Sequence, residues 1–403
     1  MSGRMSIFIL KNEVMHQGII NFKQYITDSL LDEKRLIADP PADAVIEKLV
    51  AEKGGAAAKA LFDTLVSNIE LPIVQLPEIV QLFVKENKEL PTWADPAQIK
   101  LANDLFVDHG PKFLIFLFYK SLPILYACAN GAQVLVQTGR LAHKEDGHQQ
   151  FSRRIAETGQ FIIDVMAPGS MLNSSHAIES AMKVRLIHAS IRKFIPKEHW
   201  DIAKLGKPIN QEDLAITLMT FSISILDALG KSGIEESEER KEAYLHTWKV
   251  IGNAMGIQND LFPPTLDDAR FLLDKIAQRQ HRESEAGKIL AAALIDFSSD
   301  KLPTNVLKNA PQVLLRYFSG DKVADILQVE APLGCLLSWL PDAIKSVFRL
   351  EEKLEDRSKP LKLVIDALSK ETTRCMVNYF NKAKNVHFQI PKSLKSAWFG
   401  DDL

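Results

Sequence analysis

Cysteine is scarce in this sequence, and the few cysteines present are far apart. The 403 residues include three, Cys128, Cys335 and Cys375, and no two of them have the spacing of a zinc site. No Cys-x-x-Cys-His segment occurs, which excludes the covalent attachment of a c-type haem. A sparse, odd number of cysteines is typical of a reducing compartment, so we predict a cytoplasmic location.

The sequence also has no excess of one sign of charge. Its 49 lysines and arginines against 51 aspartates and glutamates give a formal net charge of −2. Proteins that bind nucleic acid carry a strong basic field, so we predict no nucleic-acid partner. The hydrophobic share of 46% is that of a globular protein with a large buried core.

Signals of β-structure and several catalytic signatures are missing as well. Apolar residues recur at helical period along most of the chain, whereas alternating runs and hairpin dipeptides are nearly absent. The motifs Gly-x-Gly-x-x-Gly, His-Glu-x-x-His and Gly-x-Ser-x-Gly do not occur, so nothing indicates a dinucleotide fold, a zinc protease or an α/β-hydrolase. We predict an all-α protein, a large orthogonal helical bundle.

Prolines and glycines divide the chain into predicted helices. The predicted helices span Ala42–Ala51, Ala56–Asn68, Ile79–Glu86, Phe113–Leu141, Phe151–Met166, Ala177–Phe194, Gln211–Leu229, Glu238–Met255 and Thr265–Glu285. We predict three regions in chain order: an N-terminal helical segment over 1–89, a core over 90–264, and a C-terminal helical region over 265–403 packed on the core.

One apolar stretch has about the length of a membrane span. Residues 113–136 are mostly apolar, but Lys120, Pro123 and Asn130 interrupt them. We therefore predict two buried helices that break near Ser121 and Pro123. No membrane span is predicted, and the sequence leaves only a shallow membrane contact open.

An imidazole lies in the middle of one predicted buried stripe. The positions on that face of the helix over 177–195 are Ala177, Ala181, Val184, His188, Ile191 and Ile195. His188 is therefore either a core histidine bonded to a neighbour or a ligand to a metal or haem iron. Arg185 and Arg192 lie about one turn on either side of it. They are either a solvated helix edge or charge-assisted donors to haem propionates.

The helix over 151–166 carries a second group of polar side chains. Arg154 and Thr158 are four residues apart, so they share a helix face beside an apolar stripe. Such a pair can donate hydrogen bonds to a bound ligand. The alternative is an arginine paired within the core and a threonine bonded back to its own helix. The residues alone leave both readings open.

Several of these motifs occur together in one known family. The sequence resembles the haem-b oxygenases that include the latex-clearing proteins (rubber oxygenases) and the oxygenase of mycophenolic acid biosynthesis. The resemblance runs from about Leu90 to Pro263. It is carried by Arg154-x-x-x-Thr158, by Val184 to Arg192, by Trp200, by Gly206-x-Pro208-x-Asn210-Gln211-x-Asp213, and by Tyr244 with Trp248.

The resemblance implies globin-like helical packing around a non-covalent haem b. It makes His188 the proximal iron ligand and places Arg154 and Thr158 on the distal face. It also implies an oxygenase that uses dioxygen on an apolar, isoprenoid or otherwise unsaturated, small substrate. Alternatives are a non-catalytic haem sensor or carrier on the same scaffold, and a helical interaction protein without a cofactor.

Two departures from the family pattern concern the distal side. Some latex-clearing proteins have a lysine three residues after the distal arginine, where this chain has Glu157. A carboxylate proposed as a base in those proteins falls on Thr138 here. Polyisoprene is therefore a doubtful substrate. Because Glu157 lies between Arg154 and Thr158, we hypothesise that it serves as the distal acid or base.

Overall fold

Helices make up the regular structure in the part of the chain that the computed structural model describes. That part comprises residues 21–67, 73–137, 147–195, 200–300 and 310–330, with 391 and 394. These ranges contain no β-strand, and one isolated bridge pairs Cys128 with His281. The predicted all-α fold is confirmed. Most of the predicted C-terminal helical region beyond residue 330, and the position of Thr138, lie outside the described residues.

Prolines and glycines mark many of the helix ends, but one predicted start is wrong: Pro111 lies inside the helix Pro96–Phe116, so no helix begins at Phe113. The helices are α1 (Phe22–Tyr25), α2 (Asp28–Arg35), α3 (Pro40–Ser67), α4 (Glu78–Asn87), α5 (Pro96–Phe116), α6 (Leu122–Ala127), α7 (Ala129–Gln137), α8 (Gly147–Met166), α9 (His176–Phe194), α10 (Ile202–Leu205), α11 (Gln211–Phe221), α12 (Ile223–Lys231), α13 (Glu238–Ala254), α14 (Leu266–Gln280), α15 (Glu285–Asp300), α16 (Ala310–Ser319) and α17 (Asp321–Ile326). Helix α3 breaks at Gly54, whose φ of 82° is left-handed. This break separates the two helices predicted there.

The chain divides into two units, each assembled from three separate stretches. The first unit comprises Met1–Asp95, Ile178–Ile223 and Leu245–Arg279, and the second comprises Pro96–Ala177, Ser224–Tyr244 and Gln280–Leu403. The three regions predicted in chain order, over 1–89, 90–264 and 265–403, stay a prediction.

The first unit has a core built around Trp248. The Trp248 ring stacks on Phe221 at 5.5 Å between centroids with an interplanar angle of 13°, and only 2% of Trp248 is exposed. Helices α11 and α13 approach closely at Gly252, where an added Cβ would lie 2.9 Å from Leu218 Cδ2. The absence of a side chain at Gly252 therefore allows the two helices to pack closely.

Pairs of aromatic side chains lie in the core of the second unit. The rings of Phe113 and Tyr244 meet edge to face at 5.3 Å, and those of Phe151 and Phe297 lie 5.7 Å apart. Full burial of such side chains contributes about 1.5–3 kcal/mol each. These contacts join α5 to α13 and α8 to α15.

The long apolar stretch breaks in two places. A π-helical turn spans Leu117–Ser121, just before Pro123, whose ring and missing N–H disfavour a regular α-helix through that turn. Ser121 and Leu122 keep helical φ and ψ, so the predicted break near Ser121 is present only as a change from α-helical to π-helical bonding. A second break, which was not predicted, occurs at Cys128, where ψ is 88°.

One helical stretch passes a test of length and composition for a membrane span among the described residues. It covers Gln211–Lys231, with 78% of its apolar window buried inside the protein. Core helices of soluble proteins pass the same test. Ser222, with φ −104° and ψ −92°, interrupts the stretch between α11 and α12.

Candidate functional site

The face of helix α9 that carries His188 is buried toward both ends and partly exposed in its middle. Ala181 and Ile191 are buried on this face, whereas Val184 and His188 between them are only partly buried. The predicted stripe is therefore present, and its opening coincides with His188. A neutral imidazole in such a position can bind a metal ion from the open side.

Arg185, one turn before His188, is fixed by a buried carboxylate. Its Nε and Nη2 donate to the two carboxylate oxygens of Asp39 at 2.6 and 2.9 Å. Side-chain exposure is 8% for Arg185 and 3% for Asp39. The guanidinium also lies over the Phe83 ring, 5.2 Å from its centroid. Two-point bonding of this kind sets the orientation of the guanidinium as well as its position.

Arg192, one turn after His188, has a carboxylate partner of its own. Its Nε donates to Asp43 Oδ1 at 2.7 Å, and its Nη1 donates to the Ile209 carbonyl at 3.4 Å. Nη2 is buried and has no hydrogen-bond partner among the described residues. Burial raises the pKa of the Asp43 carboxyl, and the charge of Arg192 opposes that rise. A buried, unpaired N–H is costly, so Nη2 marks a place for an acceptor.

The loop before α11 holds strain next to Arg192. Ile209 has a φ of 53°, in the left-handed region that β-branched residues rarely adopt. The next residue, Asn210, caps α11, because its side chain accepts from the Asp213 N–H at 3.0 Å. Gln211 then donates to the carbonyl of Ala38 at 2.6 Å. This loop is therefore tied both to α9 and to the segment that ends at Asp39.

Helix α8 brings the three predicted distal residues together. Arg154 Nη1 lies 3.5 Å from Glu157 Oε2, and 26% and 28% of these two side chains are exposed. The Thr158 hydroxyl donates to the Arg154 carbonyl at 2.9 Å. Thr158 is thus bonded back to its own helix, and Arg154 has a partner one turn away. The group remains partly open to an approaching ligand.

Tyr126 is a candidate site residue that the sequence did not suggest. Its side chain is among the largest that are fully buried. Burial raises the pKa of its phenol, and the positive charge of Arg154 opposes that rise. The phenol therefore stays protonated at neutral pH and lies within electrostatic reach of Arg154. A tyrosine inside an apolar stretch gives no sequence signal of such a neighbour.

Comparison with known proteins identifies the family. Residues 115–344 match the model described as "ER-bound oxygenase mpaB/B'/Rubber oxygenase, catalytic domain", which is more than half of the chain. The chain belongs to this family. A rubber oxygenase of Streptomyces sp. (strain K30) is 23% identical over 296 residues, 72% of this chain and 70% of that protein.

The fold has a solved counterpart. A structure titled latex clearing protein LCP in the closed state aligns with a TM-score of 0.71 at 18% identity, covering 89% of this chain and 95% of that chain. The resemblance drawn from the motifs is therefore confirmed at the level of family and helical fold. The roles given to individual site residues stay predictions.

The predicted site residues fall into two sets, one in each unit. Arg185, His188 and Arg192 lie on α9 in the first unit, and Arg154 with its two neighbours lies on α8 in the second. All of them are inside the range matched by the family model, whereas Asp39 and Asp43 precede it.

Proposed function

We propose that this chain is a haem-b-dependent oxygenase that uses dioxygen to oxidise a small, apolar, unsaturated substrate. The observation that carries the proposal is His188, an imidazole at the open point of a buried helix face within a chain of an oxygenase family. Haem iron in globins and peroxidases is held by one such histidine.

The donors on α9 fit a haem. Besides a ligand for iron, a haem needs partners for its anionic propionates, and arginine N–H groups are strong donors to carboxylates. Arg192 offers its buried Nη2. The Nε and Nη2 of Arg185 donate to Asp39, so Nη1 is the donor group of Arg185 that we assign to a propionate. His188 would hold the iron, and Arg192 and Arg185 would bind the propionates.

By the resemblance to the family, the residues of α8 would supply the groups for the distal side. When bound, a haem supplies an iron that activates dioxygen. Arg154 stabilises negative charge that develops beside it, and groups placed in this way are typically worth about 10²–10³ in rate. Glu157 holds or accepts a proton at its carboxylate. Thr158, whose hydroxyl proton is directed to the Arg154 carbonyl, orients a donor through its oxygen lone pairs.

The substrate class follows from the relatives and from one departure. The Streptomyces relative is named a rubber oxygenase, which motivates an unsaturated, apolar substrate here. Glu157 stands where some relatives have a lysine, so we do not extend polyisoprene to this chain. We propose that the substrate is a small isoprenoid or unsaturated lipid found inside the cell and that the protein is cytoplasmic.

One observation favours a second candidate, a haem-binding sensor or carrier without turnover. The Glu157 carboxylate lies 3.5 Å from Arg154 Nη1, and it offsets the charge that would otherwise polarise a distal ligand. Oxygen uptake separates the two candidates. An oxygenase consumes dioxygen in proportion to an added isoprenoid such as squalene, and a carrier does not.

The first test is the visible spectrum of protein purified from cells supplied with a haem precursor. We expect a Soret band and a pyridine haemochrome of haem b in wild type, and their loss in His188→Ala. His246→Ala is the control, because His246 is a buried histidine of the first unit whose side chain accepts from the Asp95 N–H at 2.9 Å. A wild type that stays colourless on titration with haem would refute both candidates.

A further inference from the structure

Two aspartates near the N-terminus pair with the arginines that precede and follow His188 on α9. Asp39 and Asp43, four residues apart, lie immediately before and within the first turn of α3. Asp39 binds Arg185, and Asp43 binds Arg192. These arginines stand three residues before and four residues after His188. The segment of α9 that carries the imidazole is therefore held by an ion pair on each side.

The first of these pairs leaves little freedom to move. Asp39 and Arg185 are almost completely buried, and they pack against the backbone at Gly256. A Cβ there would lie 2.5 Å from Asp39 Oδ2 and 2.7 Å from Arg185 Nε. Buried, two-point ion pairs are poor sources of net stability but strong determinants of geometry. This pair fixes the position of one turn of α9.

The segment that leads to Asp39 is itself anchored. The Lys207 N–H donates to the Arg35 carbonyl at 2.9 Å, and the Gln211 N–H donates to the Ile37 carbonyl at 2.8 Å. The Gln211 side chain adds its bond to the Ala38 carbonyl. Hydrogen bonds to the carbonyls of residues 35, 37 and 38 thus hold this segment, so the position of Asp39 is fixed from the N-terminal side and can set that of α9.

We propose that Asp39 and Asp43 are positioning residues that set the orientation of His188 toward the iron. The inference rests on the proposed function and extends it to two residues that lie outside the family-matched range 115–344. Groups that orient the ligands of a metal typically alter its affinity about 10–100-fold when removed. Asp39 and Asp43 act through the arginines and touch neither substrate nor cofactor.

The test compares Asp39→Asn and Asp43→Asn with Asp260→Asn. Asp260 is the matched control because its pair with Lys34, at 2.6 Å, has side-chain exposures of 5% and 6%. The Lys34–Asp260 pair thus resembles the Asp39–Arg185 pair in burial and lies in the same unit. It connects α2 to residues 258–260 and not to α9. Asp43→Asn keeps the test decisive if Asp39→Asn fails to fold, since 27% of the Asp43 side chain is exposed.

The readouts are haem affinity and the iron–histidine stretching frequency of the purified, haem-loaded proteins. We expect both aspartate variants to shift this frequency and to bind haem about 10–100-fold more weakly. Asp260→Asn should lose stability without either change, and Asp43→Glu should restore the wild-type frequency.

Two results would overturn the inference. Wild-type frequency and affinity in both Asp39→Asn and Asp43→Asn would show that the ion pairs do not position His188. An equal shift in Asp260→Asn would assign the effect to general destabilisation. Failure of the proposed function looks different, because the wild type itself then binds no haem, which also removes the basis of this inference.

Discussion

Replacing Glu157 by glutamine tests separately how much the Arg154–Glu157 pair contributes to stability and how much the Glu157 carboxylate contributes to turnover. The two charged groups lie 3.5 Å apart, with about a quarter of each side chain in solvent. Water screens such a pair, and pairs of this kind contribute about 0.2–1 kcal/mol. We therefore expect Glu157→Gln to lower the free energy of unfolding by about 1 kcal/mol at most.

The expected loss of activity is much larger. If the Glu157 carboxylate takes or gives a proton, its removal should lower turnover about 10²–10⁴-fold, or roughly 3–5 kcal/mol in activation free energy. Oxygen uptake with squalene, measured against pH, reports turnover, and urea unfolding reports stability. Glu238→Gln is the control, since Glu238 pairs with Lys241 at 2.8 Å with the same helical spacing. Unchanged turnover and pH profile in Glu157→Gln would refute the acid–base role.

Three further changes test the site and its support. Arg154→Ala should keep its haem and lose about 10²–10³ in turnover; full activity would remove Arg154 from the mechanism. Gly256→Ala should cost about 3 kcal/mol in urea unfolding, since a left-handed φ of 83° and contact with Asp39 oppose a side chain; no loss would refute this packing. Burial raises the pKa of Asp213 to about 6, above the unfolded value of about 3.9. The folded state therefore binds this proton more tightly than the unfolded state does. The resulting stability is present below about pH 4 and is lost as pH rises through about 6. Asp213→Asn should therefore gain about 3 kcal/mol relative to wild type between about pH 4 and pH 7, and a flat difference in unfolding curves would contradict this.

Helix bounds are predictable where local bonding decides them. Helices α9 and α13 each differ from the predicted range by one residue at one end, because apolar period and end signals are local properties. The break at Cys128 was not predictable in this way. It accompanies a backbone bridge to His281, and the apolar stretch around Cys128 contains no sign of that partner.

The site shows the same division between local and distant information. The bond from the Thr158 hydroxyl to the Arg154 carbonyl is one of the two outcomes that the sequence allowed, since it spans a single helical turn. The charges of Arg185 and Arg192 were also evident. Their carboxylate partners were not, because Asp39 and Asp43 lie 146 and 149 residues away in the chain.

The discontinuous build of the first unit limits how the chain can be shortened. A fragment restricted to residues 115–344 would retain α9 but lose Asp39 and Asp43, so Arg185, only 6% exposed, would be left without its counterion. Removing one partner of a buried pair costs about 3–5 kcal/mol, a large share of the 5–15 kcal/mol or so that stabilises a typical protein. The range matched by the family model is therefore shorter than the range that keeps the ion pairs of α9 intact.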